Sequence, residues 1–155
     1  MSQELIKEFY KAFDQRDAKG MNKHYHADAS FSDPVFVDLD AKRTKAMWTM
    51  ICGRGKDLRV NLVSLQANGD SGEAVLEATY TFSQTGRKVV NRVSSNFQFK
   101  DGKIYQQKDD FDFYKWTKMA IGPLGFLLGW SPSFQKKLQS KTSGVLDDYI
   151  KKHNL

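Results

Sequence analysis

Residues 87–116, RKVVNRVSSNFQFKDGKIYQQKDDFDFYKW, constrain the chain more than any other stretch. They read as two long strands joined at Lys100-Asp101-Gly102-Lys103, where Asp-Gly supplies the positive φ that a tight hairpin needs. Side chains alternate between faces along a strand. Val89, Val93, Phe97 and Phe99 therefore share one face with Asn91 and Ser95, and Arg92, Ser94, Asn96 and Gln98 take the other. One face is thus mostly apolar, with a few uncharged polar groups set into it.

The turn admits two registers. A two-residue loop pairs Phe99 with Ile104. A type I turn with Gly102 as a bulge pairs Phe99 with Lys103 and sets Val93 opposite Asp109. We take the second, which expects Tyr105, Gln107, Asp109 and Phe111 on the inner face and leaves Ile104 outside. The register decides whether Asp109 is a site residue or a surface charge.

Upstream, Ser2 is the expected cap of a first helix in which Leu5, Ile6, Phe9 and Phe13 recur at helical spacing. Asp17 caps a shorter second helix carrying Ala18, Met21 and Tyr25. Residues 29–39 alternate as a strand, and Pro34, lacking an amide hydrogen, makes it an edge strand or a bulge. Asp40 caps a third helix with Thr44, Met47, Trp48 and Ile51 as its buried stripe. Residues 58–66 and 73–84 are two more strands, with Leu76, Ala78, Tyr80 and Phe82 facing one way.

Helices followed by a run of strands argue for an α+β fold: a curved antiparallel sheet wrapped around three N-terminal helices. After Trp116 the run to Trp130 is apolar and punctuated by glycine. Ser131 then caps a last helix striped with Phe134, Leu138, Val145, Leu146, Tyr149 and Ile150. The expectation is one domain over residues 1–155, with a core at 1–116 and a C-terminal helical extension at 117–155. The extension is expected to cover a pocket or a dimer contact, with a membrane surface as the alternative.

At 155 residues one domain is the natural size. The net charge of +6 fits solubility or a weak anionic preference better than nucleic-acid recognition. A single cysteine, Cys52, excludes an internal disulfide and fits a reducing compartment. No apolar run approaches the roughly 20 residues that cross a bilayer. The opening residues read as helix rather than signal peptide, so a cytoplasmic location is expected.

Four motifs in order carry a family likeness: residues 9–17 (FYKAFDQRD), 24–36 (HYHADASFSDPVF), 97–104 (FQFKDGKI) and 109–112 (DDFD). With this layout the chain resembles the nuclear transport factor 2-like superfamily, and within it the SnoaL-like, ketosteroid isomerase-like branch. That branch also holds polyketide cyclases and limonene-epoxide-hydrolase-like enzymes. The resemblance implies a cystatin-like cone of sheet and helices around an apolar pocket, usually in a homodimer. In ketosteroid isomerase, a worked case of pKa tuning, the base is an Asp; it stands in an Asp-Pro dipeptide, matched here by Asp33-Pro34. The family's phenolic oxyanion donor falls on Phe9 and its protonated carboxyl on Ser95. Against the epoxide hydrolases, Asp109 matches an acidic residue, while their paired Arg and Asp fall on Leu76 and Ala78.

The expected chemistry is acid–base work by Asp33, with Asp109 as a second carboxyl. A carboxylate among Phe, Val and Trp has its pKa raised by desolvation, which suits proton transfer. The alternative is that the strand ends near Pro34 and Asp33 caps a turn. Tyr80, Asn91, Ser95 and Gln107 would orient a ligand by hydrogen bonds, or satisfy one another, and Phe9, Trp48 and Phe97 complete the ligand-binding set. His24 and His26 are expected to hold no metal, since residues two apart at a helix end diverge, and a proton shuttle is the better role for them. No cofactor is expected. Three functions follow: an isomerase, cyclase or hydratase acting on an apolar metabolite; a carrier of an apolar ligand; or an interaction module using the sheet face, whose Thr, Ser, Asn and Gln suit a homodimer. No nucleic acid and no stable membrane insertion are expected.

Overall fold

The computed structural model describes residues 2–155. Helices α1 (Ser2–Asp14) and α2 (Ala18–Asn22) precede strand β1 (Tyr25–Ser32) and helix α3 (Ala41–Arg54). A meander follows: β2 (Arg59–Asn68), β3 (Ser71–Phe82), β4 (Arg87–Lys100) and β5 (Lys103–Asp110). Helices α4 (Phe113–Ala120), α5 (Pro123–Leu128) and α6 (Pro132–His153) complete the chain. The strands form one curved, unclosed sheet in the order β1-β5-β4-β3-β2. The meander is antiparallel, but β1 joins β5 in parallel, so the sheet is mixed.

Side-chain caps set several helix starts. Asp17 accepts from the amide of Gly20 and Asp40 from that of Arg43. Ser2 lies inside α1 instead of capping it, and its hydroxyl donates to the carbonyl of Gly69 in the β2–β3 turn. Tyr25, expected on α2, opens β1. Ser131 precedes α6 without a side-chain cap bond.

The core lies between the concave sheet face and α1 and α3. Phe9 is fully buried there, with the rings of Tyr10, Tyr25, Trp48 and Phe97 set edge-on at 5.1–6.3 Å. Such contacts contribute about 0.5–1.5 kcal/mol each beyond area burial. A smaller cluster of Val89, Trp116 and Ala120 seats α4 on β4. Leu146 of α6 is fully buried against the main core.

The β4–β5 turn takes the two-residue form. Asp101 (φ 54°) and Gly102 (φ 72°) make the connection, and Phe99 pairs with Ile104. The bulge sits one step later: Gln98 pairs with Gln106, which leaves Tyr105 as the extra residue. This corrects the expected register in two respects. Ile104 is fully buried rather than outside, and Tyr105 leaves the inner face to meet His26 edge-on, with the Lys100 ammonium over its ring. The slip restores parity beyond it, so Gln107 and Asp109 still point inward, with Asp109 opposite Ser95 rather than Val93.

Strand β1 lies at the sheet edge and ends at Ser32, so Pro34 falls in the loop after it. Residues 33–38 form a small loop closed by the two backbone bonds between Phe31 and Leu39.

Candidate functional site

A cavity of about 240 Å³ lies between α3, the inner face of β3 and β4, the 33–36 turn and α6. Most of its wall is apolar, including Met47, Leu76, Val93, Phe111 and Val145. The polar groups on the wall include Asp33, Asp109, Tyr80, Asn91 and Tyr10, with Arg54 and Lys141 at the exposed rim.

Asp33 stands where β1 gives way to the loop. Its Oδ1 accepts from the amides of Val35 (2.7 Å) and Phe36 (2.6 Å), and its own amide donates to the carbonyl of Phe36. The carboxyl thus caps a turn and lines the cavity at once. Two amides on Oδ1 leave Oδ2 for a ligand. Burial pushes the carboxyl from 3.8 up to about 7, against the pull of the Phe36 and Val35 amides and with a small push from Asp109. The turn is held from behind, because Gln135 and Gln139 of α6 both donate to the carbonyl of Pro34, at 3.1 and 3.0 Å.

Asp109 is buried and receives two arms of hydrogen bonds. In one, the Trp48 indole donates to Tyr25 (2.7 Å), Tyr25 donates to Gln107 Oε1 (2.5 Å), and Gln107 Nε2 donates to Asp109 Oδ1 (3.1 Å). In the other, Tyr10 donates to Ser95 Oγ at 2.6 Å, and Ser95 turns its own hydroxyl to Asp109. Burial raises the Asp109 carboxyl to about 6, and the Ser95 and Gln107 donors hold it from rising further. The two carboxyls therefore titrate around neutrality, Asp109 slightly below Asp33.

Tyr80 accepts from the Trp116 indole at 2.9 Å. Its own proton finds no acceptor among the described residues. Burial raises its pKa, with the Asp33 charge adding to the effect. Asn91 is 9% exposed, lines the cavity, and has no side-chain hydrogen bond among the described residues. Both groups face the cavity, Asn91 buried and Tyr80 half-buried.

The expected site residues thus fall into three groups. Asp33, Asp109, Tyr80, Asn91 and Trp48 line the cavity. Ser95 and Gln107 sit one layer behind it and are spent on holding Asp109. Phe9 and Phe97 belong to the packed core, so their expected ligand contact is corrected. His24 and His26 also lie away from the cavity, beside Glu8 (3.6 Å) and Asp101 (3.3 Å), so neither serves as its shuttle. Cys52 is buried, and desolvation raises its thiol to about 11, well away from reactivity.

Sequence reasoning missed Tyr10 and Tyr25. Tyr10 follows Phe9 on the buried face of α1 and brings a phenol to the cavity wall, one position from where the resemblance sought it. The available signal was its place four residues after Ile6 and three before Phe13.

A curved, unclosed five-stranded sheet with helices packed on it defines an NTF2-like fold of the α+β class. The SnoaL-like domain model matches residues 6–107, and the chain belongs to that family. No functionally curated protein matches it in sequence. Among solved structures it is similar to an LEH-like epoxide hydrolase of M. tuberculosis: 20% identity, TM-score 0.64, covering 83% of this chain and 96% of that one. It is also similar to AclR, a putative hydroxylase from Streptomyces galilaeus: 21% identity, TM-score 0.62, covering 83% and 95%. A hypothetical protein with a ketosteroid isomerase-like fold from Catenulispora acidiphila aligns at 9% identity and TM-score 0.66, covering 77% and 94%. At these identities the likeness is one of fold. Leu76 and Ala78 are apolar cavity wall, so the Arg–Asp pair of the epoxide hydrolases has no counterpart at those positions.

Proposed function

We propose that the chain is a small proton-transfer enzyme acting on an apolar cyclic metabolite that carries a carbonyl or an epoxide. The observation that carries this is the company of groups on one apolar wall: two desolvated carboxyls beside an unpaired phenol and an unpaired amide. Asp109, fed by Ser95 and Gln107, is the better base. Asp33, with the higher pKa and a free Oδ2, is the better acid near neutrality. Tyr80 and Asn91 are placed to donate to a substrate oxygen. The reaction class is isomerisation, cyclisation or hydration, and the two carboxyls supply its proton transfers.

The cavity argues for a small substrate. At about 240 Å³ it exceeds the roughly 150 Å³ hollow that holds benzene and falls below the roughly 300–1,000 Å³ of drug-sized pockets. One or two rings fit.

A carrier is the second reading. It is favoured by the consumption of Ser95 and Gln107 within the protein, which reduces the donors available to a developing oxyanion. Incubating the chain with small cyclic enones in D2O, and following deuterium incorporation by NMR, separates the two. Exchange that disappears in Asp109→Asn supports the enzyme. A ligand that binds without exchange leaves the carrier.

A further inference from the structure

We infer that α5 and the turn after it form a peripheral docking surface for membranes rich in anionic lipid headgroups. The segment is built with its polarity reversed. Its inward face is glycine: Gly125 and Gly129 are buried against Thr117 of α4, and Gly122 against the Arg87 side chain of β4. A Cβ on Gly125 would fall 2.2 Å from the Thr117 carbonyl oxygen, and one on Gly129 would fall 2.1 Å from Thr117 Oγ1. Backbone therefore rests on backbone, and the large side chains have no space inward. Leu124 (51% exposed), Phe126 (59%), Leu127 (70%), Leu128 and Trp130 (70%) project outward together.

The arrangement is held in place by its own bonds. Tyr114 Oη donates to the carbonyl of Phe126 at 3.0 Å, and Trp130 Nε1 donates to that of Leu127 at 2.9 Å. Contiguous apolar surface of this kind on a small domain marks a contact site.

Charge selects the occupant. No acidic residue occurs between Asp112 and Asp147, whereas Lys115, Lys118, Lys136, Lys137 and Lys141 do. The Lys118 ammonium lies 4.6 Å from the Tyr114 ring centre and 5.2 Å from that of Phe126, at the edge of the apolar tip. A second copy docking by this face across a two-fold axis would set one lysine collar against another, which is repulsive. An anionic bilayer offers the complement: acyl chains for Leu127, Phe126 and Trp130, and headgroups for the lysines. No helix among the described residues is long and apolar enough to cross a membrane, so the contact is peripheral.

The test is co-sedimentation of the full chain with vesicles of phosphatidylcholine, with and without phosphatidylserine, at low and high salt. Sedimentation with the phosphatidylserine vesicles that weakens at high salt is the expected result. Leu127→Ser with Trp130→Ser should lower the partition coefficient at least about tenfold. Lys136→Gln with Lys137→Gln should lower it about tenfold on the anionic vesicles only. All four side chains lie outside the packed core, and an unchanged thermal midpoint checks that the variants fold. Equal binding to neutral vesicles would overturn the headgroup preference. No binding to either would overturn the proposal. Self-association without lipid that the Leu127→Ser, Trp130→Ser variant abolishes would assign the surface to a second copy.

Discussion

The phenol of Tyr10 donates to Ser95 Oγ across 2.6 Å, joining helix α1 to the centre of the sheet. Ser95 pairs with Asp109 across the β4–β5 ladder, so one hydroxyl links the helix to the buried acid. Tyr10→Phe keeps the ring and removes the donor. Ser95 then either stays half-satisfied or turns from Asp109, and a buried unpaired group costs about 1–3 kcal/mol. Urea unfolding of Tyr10→Phe should show a loss in that range. A variant as stable as the parent would mean that the bond contributes little.

Asp33 makes stability depend on pH in a defined direction. Its folded pKa, about 7, stands above the ordinary 3.8. Below that ordinary value both states are protonated and the native state is not penalised. As pH rises from about 4 to about 7 the unfolded chain releases its proton first, so stability falls, then levels off. Asp109, raised to about 6, adds a fall in the same sense over a narrower window. Asp33→Asn keeps an acceptor for the Val35 and Phe36 amides. It should be more stable than the parent at pH 8, by about 2–4 kcal/mol at about 1.4 kcal/mol per pKa unit, and show little advantage near pH 4. Thermal midpoints at the two pH values decide the matter, and an equal shift at both contradicts a raised Asp33.

If the two carboxyls share the work, turnover peaks where Asp109 is ionised and Asp33 still carries its proton. That places the maximum between about pH 6 and 7, with limbs belonging to the pair. Asp109→Asn should remove turnover, and Asp33→Asn should flatten the alkaline limb. A profile flat from pH 5 to 8 in the parent would exclude both carboxyls from the rate.

Two glycines in the C-terminal helices should respond oppositely to alanine. Gly144 in α6 has no atom near its virtual Cβ, so Gly144→Ala should stabilise by about 0.5–1 kcal/mol through backbone entropy. Gly125→Ala meets the Thr117 carbonyl oxygen at 2.2 Å and must push α5 off α4, costing about 1–3 kcal/mol. Differential scanning calorimetry on the pair reads both. A neutral Gly125→Ala would mean that α5 is loosely seated.

The fold was legible because its signals are periodic. The inner parity of Val89, Asn91, Val93, Ser95 and Phe97 is set by strand alternation alone, and Asp17 and Asp40 announce their helices by chemistry. The hairpin was misread because a bulge is a local exchange of one pairing for another. Its place at Tyr105 depends on Ile104, whose amide bonds the carbonyl of His24 in the turn just before β1, a contact distant in sequence. The site was legible in its acids but not in its wiring. Which of Phe9 and Tyr10 reaches the cavity depends on how α1 is rotated over the sheet, and that rotation is fixed by packing. The double role of Asp33, turn cap and cavity wall, arises because the strand ends one residue before it. Two separate readings of the sequence meet in that one residue.

Pro34 accepts amides from Gln135 and Gln139, and this ties the fate of the acid to the far end of the chain. The helix that makes those contacts lies beyond the stretch matched by the family model. Tuning in this molecule can therefore come from a peripheral appendage. A change at half-buried Gln135 or Gln139 of the last helix would reposition the Asp33 carboxyl while every residue lining the cavity stayed the same. Two proteins with identical cavity linings could then differ in their working pH because of how their tails grip a single carbonyl.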